Sequence, residues 1–215
     1  VAWRTGSGRV ALIAGTPCAK GEEVFNNYGA KSNEELLLGF GFVLDPNPHD
    51  EFKVKLSAPP GTLQLVHYIK KDRLVPESLI EAVQVLTGGG QHDPPTCAEG
   101  EMARIKALAA IKRSLQGRIT KLETARKLFW TSKNYDLKAR KAAQSPCASS
   151  SDSPGDSVAS PKDSPGLRRL RMARIYREGQ ITLLSLSLSH TQKLLSTHAQ
   201  RLSRHQKLAT GELKT

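Results

Sequence analysis

The apolar residues of this chain change period part-way along it, and that change limits the folds open to it. Up to about residue 62 the apolar runs are short and bounded by turn formers. Arg9-Val-Ala-Leu-Ile-Ala14 and Glu23-Val-Phe25 are separated by Gly15-Thr-Pro17 and Lys20-Gly21, as strands are. Phe52, Val54 and Leu56 alternate with lysines, the period of a strand with one buried face. From about residue 63 the pattern reads as helical. Pro76 to Leu86 opens on proline and stops at Gly88-Gly-Gly90, a sound start and end for a helix. Ile105, Leu108, Lys112, Leu115, Ile119 and Leu122 then recur at steps of three and four, with a lysine breaking the apolar series. That spacing predicts an amphipathic helix from about 100 to 130. A short helix capped by Asn134 and running to Ala143 is expected next. A long one follows from Leu167 to about Arg204, with Ile175, Leu184, Leu188, Leu195 and Leu202 on roughly one face. Residues 144–166 are dominated by Ser, Pro, Asp and Gly; they bury too little apolar area to offset chain entropy and are expected to be disordered. The fold class expected is α+β.

At 215 residues the chain is long enough for one or two domains with a true core. Its first residue is Val1 rather than Met, read here as the cut end of something longer. Cys18, Cys97 and Cys147 lie far apart with no Cys-x-x-Cys or Cys/His cluster. That argues against a disulfide framework or a metal site and suits a reducing compartment. No apolar run reaches the roughly 20 residues of a membrane span; Ile181 to Leu188 is short and interrupted by serines. The net charge of +12 favours acidic partners. With only 5% aromatic residues, stacking platforms for single-stranded nucleic acid are few, so nucleic acid is the less favoured partner.

One segment carries chemistry: Gly21-Glu-Glu-Val-Phe-Asn-Asn-Tyr-Gly29, then Lys31-Ser-Asn33 and Gly39-Phe-Gly-Phe42. Ser32-Asn-Glu-Glu35 has the form of a capping box, in which the serine oxygen accepts from the third helical amide and Glu35 reaches back to the cap. Leu36, Leu37 and Leu38 then give one or two turns, stopped near Gly39 and Gly41. Asn26 and Asn27, before Tyr28, suit turn-forming and backbone-bonding roles equally well.

These residues resemble the C-terminal end of a SET domain, more narrowly the Rubisco large-subunit methyltransferase type. That group includes fungal ribosomal lysine methyltransferases and an actin-histidine methyltransferase branch. Asn47-Pro-His-Asp50 and the Phe52-to-Leu56 strand continue the likeness. The helical remainder resembles the family's all-α substrate-binding domain, best at Asn134-Tyr-Asp-Leu137 and at Arg171-Met-Ala-Arg-Ile-Tyr-Arg-Glu-Gly-Gln180. The resemblance implies the C-terminal part of a β-rich SET domain at 1–62 and the helical domain at 63–215, with 144–166 as a disordered linker. It covers nearly the whole chain, closely over residues 10 to 56 and diffusely beyond.

The activity implied is methyl transfer from S-adenosyl-L-methionine to a protein lysine. The expected partner is a lysine-bearing protein, ribosomal or translation-related, and the protein is expected to be a monomer in the cytoplasm or nucleus. By resemblance, Tyr28 is catalytic and touches the cofactor, its hydroxyl lying beside the methyl group and the attacking nitrogen. Phe42 is the aromatic that packs against the cofactor. Phe40 stands at the substrate-side position, where the family more commonly has tyrosine; a lost hydroxyl there bears on how many methyl groups are added. The family's cofactor site also calls for a Gly-rich strand segment and an Asn-His pair. No Asn-His dipeptide occurs in the sequence. The isolated chain is therefore expected to be inactive, with the first 60 residues poorly folded. The alternative reading is a non-catalytic basic helical module that binds acidic protein or nucleic acid. Residues 103–141, with about a dozen Lys and Arg, support it.

Overall fold

In a computed structural model, the structure describes residues 2–6, 8–56, 65–88, 97–130 and 165–210. Most of the expected linker and the expected helix at 134–143 lie outside these residues. The chain divides into two compact units, Val1–Lys31 and Ser32–Thr215.

The first unit is an antiparallel hairpin of β1 (Ala2–Gly6) and β2 (Arg9–Ile13), in register from Ala2 opposite Ile13 to Gly6 opposite Arg9. Glu23 to Phe25, expected as a strand, is irregular. Val24 is 59% and Phe25 72% exposed, and no described strand pairs with them. An apolar run without a ladder partner has nothing to hold it extended.

The second unit is mixed helix and sheet, in keeping with the α+β expectation. It contains α1 (Asn33–Phe40), β3 (Glu51–Lys55), β4 (Val66–Lys70), α2 (Glu77–Leu86), α3 (Ala98–Trp130) and α4 (Pro165–Ala209). The strand at 51–55 and the three longer helices lie close to their expected bounds. Strand β4 does not: the helical reading from residue 63 is corrected here. Val66-His-Tyr-Ile-Lys70 pairs antiparallel with β3, Glu51 opposite Lys70 and Lys55 opposite Val66. Ile69 is fully buried, so pairing and burial together outweigh a segment too short to show a period.

Helices α3 and α4 form an antiparallel hairpin. Glu101 near the start of α3 meets His198 near the end of α4, whereas Arg118 further along α3 lines the same groove as Tyr176 and Gln180. The core gathers Val54 and Ile69 of the sheet, Leu79, Ile80 and Val83 of α2, Ala107, Leu108, Ile111 and Leu115 of α3, and Leu183 and Leu184 of α4. Each large apolar side chain so buried contributes about 1.5–3 kcal/mol. Ile111, not Lys112, occupies the core position in that turn of α3. On α4 the buried stripe also includes Gln180, Ser187, Thr191 and His198. Those polar residues follow the same three- and four-residue steps as the leucines but are invisible to an apolar pattern.

Candidate functional site

The capping box forms as its residues predict. Glu35 N–H donates to Ser32 Oγ at 3.4 Å, and Ser32 N–H donates to Glu35 Oε2 at 3.0 Å. At the other end of α1, Gly41 adopts φ 74°, in the left-handed region. Gly41 N–H donates to Leu37 O at 3.2 Å, the five-to-one bond of an αL stop, and Phe42 N–H donates to Leu36 O at 3.5 Å. Because Phe40 is the last helical residue and Phe42 follows the reversal, the two rings come together, centroids 6.4 Å apart and tilted by 48°. Phe40 is 47% exposed and Phe42 half-buried. The pair offers aromatic faces at the helix end, the kind of surface that attracts an organic cation.

Asn33 anchors this helix to the rest of the second unit. Its side chain imitates a strand partner for Leu44: Leu44 N–H donates to Asn33 Oδ1 at 2.9 Å and Asn33 Nδ2 donates to Leu44 O at 3.0 Å. Asn47 Nδ2 also donates to Asn33 Oδ1, at 3.1 Å. Asn33 N–H donates to Asp50 Oδ1 at 3.0 Å, so a buried carboxylate sits at the positive end of α1. Burial pushes the Asp50 carboxyl above its ordinary value, against the hydrogen bonds from the Asn33 and Glu51 backbone. Gly179 of α4 lies so near that an added Cβ would come 2.9 Å from Asp50 Oδ2. Beside it, Tyr176 is pushed up to about 12 by burial and by the Glu34 and Asp50 carboxylates. Its hydroxyl therefore stays protonated at neutral pH.

Tyr28 belongs to the first unit. Asn27 Oδ1 accepts from Gly29 N–H at 2.8 Å, and Gly29 has φ 80°. This Asx turn encloses Tyr28, the role the sequence suggested for an asparagine there. Tyr28 is 39% exposed. Of the three residues singled out, the structure thus brings Phe40 and Phe42 together and sets Tyr28 in a separate unit. Asn33 was legible as part of the Ser-Asn motif, but its bonds to Leu44, Asn47 and Asp50 were not. Asp50 likewise appeared only as the last residue of the Asn47-Pro-His-Asp50 likeness.

No family model matches the sequence, and no solved structure matches it significantly. Two curated fungal proteins do. A ribosomal lysine N-methyltransferase of Schizosaccharomyces pombe is 27% identical over 218 aligned positions, covering 89% of this chain and 35% of the relative. Ribosomal lysine N-methyltransferase 1 of Saccharomyces cerevisiae is 49% identical over 41 residues, which is 19% of this chain and 7% of that protein. The chain spans about a third of the length of the first relative and a small part of the second. Among the described residues, no helix is long and apolar enough to cross a membrane. Over almost its whole length, the chain is similar to a fungal ribosomal lysine N-methyltransferase.

Proposed function

We propose that this chain is part of an S-adenosyl-L-methionine-dependent protein-lysine N-methyltransferase of the SET type, with a ribosomal or translation-related protein as substrate. The observation that carries the reading is the similarity to the Schizosaccharomyces pombe enzyme across 89% of the chain. The local geometry is compatible with it. The tilted Phe40–Phe42 pair presents aromatic faces of the sort that suit an adenine and a sulfonium.

The cofactor, when bound, supplies an electrophilic methyl group. In this reading Phe42 packs against the cofactor and Phe40 lines the side on which the lysine enters. The Tyr28 hydroxyl orients the neutral amine in line with the methyl carbon, a task of positioning and dipole placement rather than strong base catalysis. The cofactor's sulfur would serve as the leaving group, so that the chain's own residues would have only to hold the acceptor amine in place. The amine then sheds a proton to water. The 215 residues contribute one part of such a site, since the Gly-rich segment and Asn-His pair of the SET pocket are not among them.

The test is a tritiated-cofactor assay on a longer protein containing this sequence, with ribosomal protein as acceptor. Label is expected on lysine, and Tyr28→Phe is expected to lower the rate by well over about tenfold, the loss of one positioned transition-state contact. An unchanged rate in that variant removes the role given to Tyr28. Label on no protein at all removes the methyltransferase reading.

A further inference from the structure

The β3–β4 pair is a two-stranded sheet whose hydrogen-bond parity can be read from its ends. Leu56 N–H donates to Leu65 O at 3.1 Å, one step beyond Lys55 opposite Val66. Bonded and non-bonded pairs alternate along an antiparallel ladder. Val54 and Phe52 therefore turn their backbone groups toward β4, while Glu51, Lys53 and Lys55 turn theirs away. Three further bonds agree. Lys70, opposite Glu51, exchanges backbone bonds with Arg73 instead of β3, and Gln180 Nε2 donates to the outward-facing Glu51 O at 3.1 Å. Gln180 thus closes one end of the free edge of β3. Among the described residues, no strand pairs with the backbone groups of Lys53 and Lys55 beyond it.

That edge opens into a groove of about 260 Å³, lined by Lys53, Lys55 and Phe52 of β3, Glu34 of α1, Arg118 of α3, and Tyr176 and Gln180 of α4. The Arg118 guanidinium lies over the Phe52 ring, 5.2 Å from its centroid, which holds the charge at the groove wall. The Glu51 carboxylate is taken by Lys70 at 3.0 Å. Lys53, whose ammonium lies over the Tyr68 ring of β4 at 5.6 Å from its centroid, Lys55 and Arg118 then line the groove against one acid, Glu34. Edge lysines repel a second copy of the same strand, and by the same charge they attract an acidic one.

We propose that the free edge of β3 is a docking site for an extended acidic peptide, which adds to the sheet as a third strand through the backbone of Lys53 and Lys55. Main-chain bonds supply the register, and Lys53, Lys55 and Arg118 select acidic side chains. This docking goes beyond the methyl-transfer reading and needs no cofactor.

The experiment titrates the 215-residue chain into fluorescein-labelled short peptides and follows anisotropy. A peptide alternating Glu and Thr is expected to bind, and its Lys–Thr counterpart about tenfold more weakly or not at all. Methylating the backbone amides of the Glu–Thr peptide keeps its charge but removes its donors; a loss of about tenfold is expected. The pair Lys53→Glu and Lys55→Glu is expected to weaken binding to a similar degree, with the far-ultraviolet circular dichroism unchanged. Equal binding of the N-methylated peptide, or of an oligouridylate of the same charge, would overturn strand addition in favour of unspecific charge attraction. No binding of the Glu–Thr peptide also overturns it, the edge then being covered by other parts of the chain. None of these outcomes depends on methyl transfer.

Discussion

His198 Nδ1 stands 2.5 Å from Glu101 Oε2, joining the end of α4 to the start of α3 across 97 residues of sequence. Glu101 is fully buried and His198 only 4% exposed. Arg104 Nε donates to His198 Nε2 at 3.1 Å. That nitrogen is therefore the acceptor, and Nδ1 carries the proton it gives to Glu101. Arg104 also pairs with Glu77 of α2 at 2.5 Å, so one polar network ties three helices together.

Removing one member of this network leaves its partner buried and unsatisfied. Glu101→Ala is expected to cost about 3 kcal/mol of unfolding free energy, read from urea denaturation. The paired change Glu101→Met with His198→Leu is expected to cost much less, because no polar group is stranded. A double variant as unstable as Glu101→Ala would show that packing, not polarity, governs the joint.

Two helical glycines are expected to respond in opposite directions to alanine. Gly179→Ala forces a Cβ to 2.9 Å from Asp50 Oδ2, and overpacking of about 1–3 kcal/mol outweighs a helix-propensity gain of about 1 kcal/mol. Gly117 on α3 has nothing within 4 Å of an added Cβ, so Gly117→Ala is expected to stabilise by about 0.5–1 kcal/mol. Chemical denaturation of both variants gives the signs directly.

Asp50 and His67 predict opposing pH trends. Burial raises the Asp50 carboxyl above 3.8, so the folded state holds that proton more tightly. The stability it adds is full below 3.8 and is lost as pH rises through the raised folded value. Burial lowers the His67 imidazole below 6.5. Its stability is full above 6.5 and is lost as pH falls through the lowered folded value. Asp50→Asn retains an acceptor for Asn33 N–H and is expected to abolish the first trend while leaving the second. Melting temperatures from pH 3 to 8 for both proteins would show it, and identical profiles would remove Asp50 as the cause.

Ser32→Ala is expected to cost about 1 kcal/mol, the usual worth of an N-cap side chain. The Phe40–Phe42 arrangement should persist, since its left-handed stop depends on Gly41. Gly41→Val, by contrast, places a β-branched residue at φ 74°. It is expected to disturb the aromatic pair, visible as lost near-ultraviolet circular dichroism.

The sequence by itself determined what is settled within a few residues of backbone. The Ser32–Glu35 box, the Gly41 stop that sets Phe40 beside Phe42, the Asn27 turn around Tyr28, and the long spans of α3 and α4 were all legible. Each depends on local hydrogen bonds or on a period repeated over many turns. Tertiary structure alone decided the rest. Val66 to Lys70 became a strand because β3 lay opposite and Ile69 had a core to enter. Gln180, Ser187, Thr191 and His198 were buried because α3 and β3 covered them, with Glu101 supplying a partner for His198 and Glu51 for Gln180. The Asn33 bonds to Leu44 and Asp50, and the free edge of β3, likewise depend on groups distant in sequence. A polar side chain reads as surface until its partner is known, and no local pattern names that partner.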